Sequence, residues 1–346
     1  GPAMIAYLVQ RLLLMIPTFF GITLIAFSII HIAPGDPAEL RAGGGLGAGA
    51  EGGLSTERRG SVDRALQEWR ALYGLDKPLH MQYLIWLKNL FTLDFGISFK
   101  DSQPVWGKIV ERLPATIKLN VLSTALVYLV AIPLGIYSAT YQYSFGDQLT
   151  TFAAFVLFAL PSFWVGTMAI VFLGGGDFYY WFPPGGLQSV NYSPGWPWWQ
   201  RLVDQGWHLC LPVLMLSYGG FAGLSRFMRS SMLENLRQDF VLVARSKGLA
   251  ERVVIYKHVL RNSLIPIVTI MASIIPGLVG GSIIIETLFS IPGIGQLSYE
   301  AVLARDYPII LAVFTIGSVL TLLSILLSDL LLSVVDPRIA FSRRAV

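Results

Sequence analysis

The sequence predicts an all-α integral membrane protein with about six transmembrane helices, a long first outer segment and a cytoplasmic helix between spans 4 and 5. Three observations carry this. Of 346 residues, 54% are hydrophobic and only 13% are charged, about half the charged share of an ordinary soluble domain. The mean hydropathy is +0.61. The charges are also missing in blocks: windows without Asp, Glu, Lys or Arg run Leu12 to Gly35, Leu119 to Gly146, Gln148 to Gly176, Gln205 to Ser225, Asn262 to Ile285 and Tyr307 to Ser328. Each reaches the roughly 20 residues that a helix rising about 1.5 Å per residue needs to cross a hydrocarbon core about 30 Å thick. One such window is compatible with a buried helix of a soluble enzyme, but six in one chain are not.

The elements follow in chain order. Gly1 to Ala3 precede the first methionine and read as the remnant of a cleaved purification tag. Residues 4–35 hold the first span. Arg11 flanks it as in a signal peptide, but the apolar run exceeds a signal core and no small-residue cleavage site follows at His31 to Asp36, so it is expected to stay in the mature protein.

Residues 36–118 form the long outer segment. Seven of the eleven residues from Gly43 to Gly53 are glycine, which makes a tether with no core of its own. Ser61 then caps a helix with Leu66, Trp69, Leu72 and Tyr73 on one face, and Gly74, Asp76 and Pro78 stop it. A second amphipathic run, Met81 to Phe91, precedes Asp94 to Ser98. Both runs are too polar to span and are expected on the outer surface or in the interfacial plane, as packing elements or as a dock for a soluble partner.

Residues 119–346 hold five spans. Between the third and fourth, Asp177 to Trp207 carries ten aromatic residues, among them Tyr180, Trp181, Trp198 and Trp207. Such rings belong at headgroup depth; contact with substrate or partner is the alternative. Prolines and glycines within the spans, such as Pro133, Gly135, Pro161, Gly166, Pro276 and Gly281, permit kinks and close helix contact, with gating movement as the alternative. Glu286 and Asp329 stand nearest the span ends, where a carboxylate needs a partner or water.

The connector from Arg226 to Arg261 has eight Arg or Lys against three acidic residues, +5 in a chain of net +4, and is therefore expected on the cytoplasmic side. With six spans, both termini follow it there. Residues 36–118 are also rich in basic residues, but long segments translocate largely regardless of charge.

That connector is the most informative stretch. Met232, Leu233, Leu236 and Phe240 repeat at helical spacing, Gly248 breaks the run, and Glu251 to Arg261 reads as a second helix leading into the fifth span. A helix, a glycine turn and a helix make a rigid plug for another protein's groove.

These residues resemble the inner-membrane permease subunits of binding-protein-dependent ABC importers, and the dipeptide and oligopeptide branch most closely. The resemblance rests on Ala244, Gly248 and the return to the membrane over His258 to Pro266. The branch's Ala-Arg-Ala-Lys-Gly form is matched by Ala244, Arg245, Ser246, Lys247 and Gly248, followed by Arg261 and Asn262. The wider family's Leu-Pro ending is absent, since Arg261 follows Leu260. APGDP at Ala33 to Pro37, YGLDKPLHMQY at Tyr73 to Tyr83, DFG at Asp94 to Gly96, ETLFSIPGIGQL at Glu286 to Leu297 and VDPRI at Val335 to Ile339 extend it nearly end to end.

The resemblance implies a permease subunit in a bacterial inner membrane, with the long segment periplasmic and a peptide or peptide conjugate as solute. It implies a second homologous permease, two ABC ATPase subunits, a periplasmic solute-binding protein and membrane lipid as partners. ATP and Mg²⁺ would be held by the ATPases and no cofactor by this chain. Ala244, Arg245, Lys247, Gly248, Glu251, His258 and Asn262 would couple to an ATPase. Pro161, Ser162, Glu286, Ser290, Pro292 and Gly293 are the weaker candidates for a path or gate.

No G-x-x-x-x-G-K-[ST] phosphate loop occurs, and Leu216 to Gly220, which superficially resembles an ATPase signature, lies within a spanning window. An ion-coupled secondary transporter would need ionisable residues in mid-span to bind its coupling ion, and the windows hold no Asp, Glu, Lys or Arg. An intramembrane enzyme is disfavoured: there is no G-x-S-x-G elbow, and the four histidines lack metal-ligand spacing. The lone Cys210 rules out a disulfide framework or a CxxC motif within the chain. A helix-turn-helix reader of nucleic acid is excluded for a basic loop tethered at both ends by spans.

Overall fold

The computed structural model describes residues 2–32, 67, 76–175, 178–272 and 274–335. The glycine-rich tether, the helix expected after Ser61 and the VDPRI stretch from Asp336 onward lie outside the described residues. The helices are α1 (Pro2–Ile32), α2 (Leu79–Phe91), α3 (Val105–Thr140), α4 (Phe145–Ala159), α5 (Ser162–Leu173), α6 (Trp198–Leu236), α7 (Asp239–Ser246) and α8 (Glu251–Val253). A π-helical stretch (Val254–Val259) leads to α9 (Leu260–Ser263), α10 (Ile265–Ala272), α11 (Ile275–Gly280), α12 (Ile283–Leu288), α13 (Ile294–Leu303) and α14 (Tyr307–Val335). Among the described residues the only extended pairing is an isolated bridge between Ile97 and Pro104.

Among the described residues, five stretches are long and apolar enough to cross a bilayer: Val9–Ile29, Val105–Thr140, Trp198–Leu236, Ile265–Leu288 and Tyr307–Leu330. They coincide with five of the six uncharged windows. The third window, expected as one span, is formed by the pair α4 and α5, bent by 94°. Pro161 is the cause. A residue before proline is pushed out of the helical region, and Leu160 has φ −86° and ψ 128°. The carbonyl groups freed at the break find donors, as they must at membrane depth: the Tyr218 hydroxyl donates to Leu160 O at 2.6 Å, and the Trp164 and Val165 N–H groups to Pro161 O at 3.1 Å.

The chain divides into two units, one of Gly1–Leu8, Leu113–Gln296 and Leu320–Val346, the other of Val9–Arg112 and Leu297–Val319. In that second unit the Asp306 carboxylate, 1% exposed, accepts the Ser98 hydroxyl and the Phe99 N–H at 3.0 Å. Tyr83, from the YGLDKPLHMQY run, shares a hydrogen bond of 2.9 Å with Thr23 of α1. The DFG run is a turn: Asp94 accepts the Gly96 N–H at 3.0 Å, and Phe95 stacks on Trp106.

The first unit is held by two apolar clusters and a buried ion pair. One cluster joins Ile136 and Ala139 of α3, Met228 and Met232 of α6, Val241 and Ala244 of α7, Val254, Ile255 and Val259 of the π-helical stretch, and Ile267 of α10. The other gathers Leu119, Leu209, Leu211, Ile285, Phe289 and Ile291. The ion pair centres on Asp147 in the first turn of α4. Its carboxylate takes Arg229 Nε at 3.2 Å and Nη2 at 3.0 Å, the Ser138 hydroxyl and the Tyr143 N–H at 2.9 Å. Ser144 caps the same helix by accepting the Asp147 N–H. One side chain thus ties together α3, α4 and α6.

Candidate functional site

The connector is built as a lever. Helix α6 is 39 residues long, about 58 Å at 1.5 Å per residue, so it outruns a hydrocarbon core of about 30 Å. A two-residue turn at Arg237 and Gln238 leads to α7. Helix α7 ends in a Schellman turn: the Gly248 N–H reaches Arg245 O at 2.9 Å and the Leu249 N–H reaches Ala244 O at 3.4 Å. Gly248 has φ +75°, a left-handed backbone that favours glycine. A Cβ there would meet nothing within 4 Å, so conformation and not crowding demands the glycine.

The predicted coupling residues separate by environment. Ala244 is only 6% exposed and faces inward with Met228, Met232 and Val259. Its methyl group is part of the apolar packing beneath the connector's surface. Arg245, Lys247, Gly248, Glu251 and Asn262 are exposed, and His258 is half-buried. Around them Leu242, Val243, Leu249, Val253 and Tyr256 expose apolar surface at 38–59%.

Arg245 grips Glu251 through both arms, Nη2 to Oε1 at 2.6 Å and Nε to Oε2 at 3.1 Å, across the Gly248 turn. The paired guanidinium holds the Glu251 carboxyl below its ordinary 4.5. The pair's contribution is therefore present at neutral pH and fades as the pH falls through that depressed value. Both side chains are about half exposed, so its worth is of order 0.2–1 kcal/mol. Glu251→Gln is expected to speed hydrogen exchange of the Gly248 and Leu249 amides at pH 7 by a few-fold; unchanged exchange would show that the pair does not brace the turn.

Beyond the turn the backbone winds wider. The i to i+5 pattern of Val254–Val259 brings residues five apart into line, so Val254 and Val259 both face the core at 0% exposure. At the end of α9 the Ser231 hydroxyl donates to Ser263 O at 3.1 Å, and the Ser263 hydroxyl to Ser231 O at 3.3 Å. These reciprocal bonds bolt the returning chain to α6. The same apolar cluster packs α7 against α3, α6 and α10.

The gate candidates fall in two other places. Pro161 and Ser162 form the break between α4 and α5. Glu286 is 0% exposed. It accepts the Thr116 hydroxyl at 3.0 Å, the Ser282 N–H at 3.2 Å and the Gln296 N–H at 2.9 Å, while Thr116 also accepts the Ile294 N–H at 2.7 Å. Glu286 is thus the centre of a knot joining α3, α12 and the start of α13. Ser290, with φ 51°, and Pro292 lie exposed on the turn beside it. Gly293 is buried there, and a Cβ on it would come within 2.5 Å of Thr116 Oγ1 and Glu286 Cδ. Gly293→Ala is expected to destabilise the chain by about 1–3 kcal/mol through overpacking, read as a lower unfolding temperature in detergent; an unchanged temperature would mean the knot yields freely.

A cavity of about 590 Å³ opens among α3, α6 and the run from α10 to α11. Asn120, Ser123, Thr124, Val127 and Tyr128 come from one face of α3, and Leu216, Gly220, Gly223, Leu224 and Phe227 from one face of α6. Ile270, Ile274 and Gly277 complete it, and no lining residue carries a charge. Neither Pro161 nor Glu286 contributes to it. The polar stripe of α3, at helical spacing inside the second uncharged window, was the sequence signal for this face.

Comparison with known proteins places these features in context. A family model described as "Binding-protein-dependent transport system inner membrane component" matches residues 131–341, and the corresponding N-terminal model matches residues 4–120. The chain is 38% identical to the oligopeptide transport system permease protein AppB of Bacillus subtilis, over 98% of this chain and 100% of that protein. It is 37% identical to the inner membrane ABC transporter permease protein YejB of Escherichia coli O157:H7, over 98% and 100%. To the dipeptide transport system permease protein DppB of Escherichia coli K12 it is 35% identical, over 97% and 99%.

Proposed function

Because this chain belongs to the family of binding-protein-dependent transport system inner membrane components, we propose that it is a permease subunit of an ATP-driven importer that moves peptides into the cell. Full-length similarity to permeases named for oligopeptide and dipeptide transport carries the choice of solute. Dipeptides, longer peptides and peptide conjugates all fit that class. The chain is a multi-pass inner-membrane transport component. In our reading both termini and the connector face the cytoplasm, and the segment before α3 faces the periplasm.

The work divides among subunits. A periplasmic binding protein delivers the solute, a second homologous permease completes the path, and two ABC ATPases bind ATP and Mg²⁺. The exposed rim of α7 and the Gly248 turn, with Arg245, Lys247, Glu251, His258 and Asn262, seats against an ATPase. Closure of the ATPases moves that rim, and the apolar cluster with the Ser231 and Ser263 bonds passes the movement to the helices that line the cavity. Tight burial of Met228, Met232 and Ala244 supports this transmission, since close-packed side chains convey strain instead of absorbing it.

The test is uptake of labelled peptides by proteoliposomes holding the whole complex, with ATP inside and binding protein outside. Accumulation that requires ATP hydrolysis supports the proposal. Uptake driven by a proton or sodium gradient without ATP would replace it with ion-coupled transport.

A further inference from the structure

The cavity wall holds hydrogen-bonding groups left without partners. Elsewhere in the spans, threonine hydroxyls bond back to their own helix: Thr23 to Phe19 O, Thr140 to Ile136 O, Thr167 to Phe163 O. Among the described residues Thr124 makes no such bond, and the Tyr128 hydroxyl is buried with no partner. Asn120, 8% exposed, uses its Nδ2 on Leu278 O at 3.2 Å and leaves Oδ1 unbonded among the described residues. Unsatisfied polar groups at membrane depth are costly.

These three residues stand four apart on α3 and all line the cavity. Four helical residues rise about 6 Å. In an extended peptide, main-chain groups on the same edge recur every second residue, about 6.6–6.8 Å. The two repeats nearly match, and the ladder from Asn120 to Tyr128, about 12 Å long, covers three to four peptide residues. Asn120 Oδ1 accepts from a peptide N–H, and the Thr124 and Tyr128 hydroxyls donate to peptide carbonyls or accept from N–H groups. Gly223 and Gly277 leave room opposite, where no charge selects among side chains.

We infer that Asn120, Thr124 and Tyr128 form a hydrogen-bonding ladder that holds the main chain of an extended peptide in the cavity irrespective of its side chains. The inference rests on the peptide-permease reading and adds the recognition chemistry to it.

The test uses the reconstituted complex and tetrapeptides of apolar, aromatic and basic composition, each with a counterpart methylated on a central amide nitrogen. Affinity of each for the binding protein is measured separately, and uptake is read at saturation. Thr124→Val and Tyr128→Phe remove single oxygen functions with little change of shape. Each is expected to slow uptake of every peptide about five-fold, the worth of one hydrogen bond, and to reduce the penalty that methylation imposes on the wild type. Uptake unchanged in both variants, or lost for one side-chain class only, overturns the ladder while the wild-type rates leave the permease reading intact. A wild type that imports none of the peptides overturns both.

Discussion

Replacing Asp147 with leucine is expected to destabilise the folded chain by about 3–5 kcal/mol, because removing one partner of a buried ion pair strands the other. Asp147 is 3% exposed and Arg229 28% at its side chain, so the guanidinium left behind has limited access to water. The Ser138 hydroxyl and the Tyr143 N–H lose their acceptor in the same step. Three helices meet at this carboxylate, so the effect should appear in global unfolding of the purified chain in detergent as a marked fall in midpoint temperature. The double variant Asp147→Leu with Arg229→Met, which removes both charges together, is expected to recover much of the loss. A single variant as stable as the wild type would mean that α3, α4 and α6 are held without the pair.

Substitution at Gly248 carries the largest expected functional effect. With φ at +75°, a side chain other than glycine costs about 1–2 kcal/mol, less for asparagine and more for a β-branched residue. Space is not the obstacle within this chain, since nothing lies within 4 Å of a built Cβ. Peptide-stimulated ATP hydrolysis by the complex should therefore fall in the order Gly, Asn, Ala, Val, with Gly248→Val losing stimulation by more than ten-fold. If Asn and Val are equally inactive, the glycine serves close approach by the ATPase and the backbone account of the turn is wrong.

Much of this architecture was legible in the sequence because its cause is local. Uncharged windows report the spans directly, since the bilayer penalises charge wherever it falls. Gly248 showed as the break in a helical pattern. Pro161 was visible as a kink point, but the 94° bend between α4 and α5 depends also on Tyr218 waiting on α6 to satisfy Leu160 O, a contact between residues far apart in the chain. Glu286 was the harder case. A carboxylate beside a span end suggests a gate or an interfacial place, and nothing in the sequence reveals that Thr116, 170 residues earlier, closes over it. Ala244 likewise read as part of a contact motif, whereas its methyl group fills the core beneath that motif. The cavity was missed because the polar stripe of α3 becomes a site only when the apolar and glycine faces of α6 and of the run from α10 to α11 pack around it.

In the proposed mechanism, ATPase movement enters this chain at the Gly248 turn. Ser246, exposed two residues before Gly248, gives direct access to it. A cysteine at Ser246, in a chain whose single native cysteine is removed by Cys210→Ala, is tested for cross-linking in the assembled complex with a short bifunctional reagent. The account predicts a cross-link to an ATPase subunit whose yield changes between the ATP-bound and nucleotide-free states. A cross-link to the binding protein instead, or labelling from the periplasmic side alone, would contradict both the orientation and the coupling assigned to this turn.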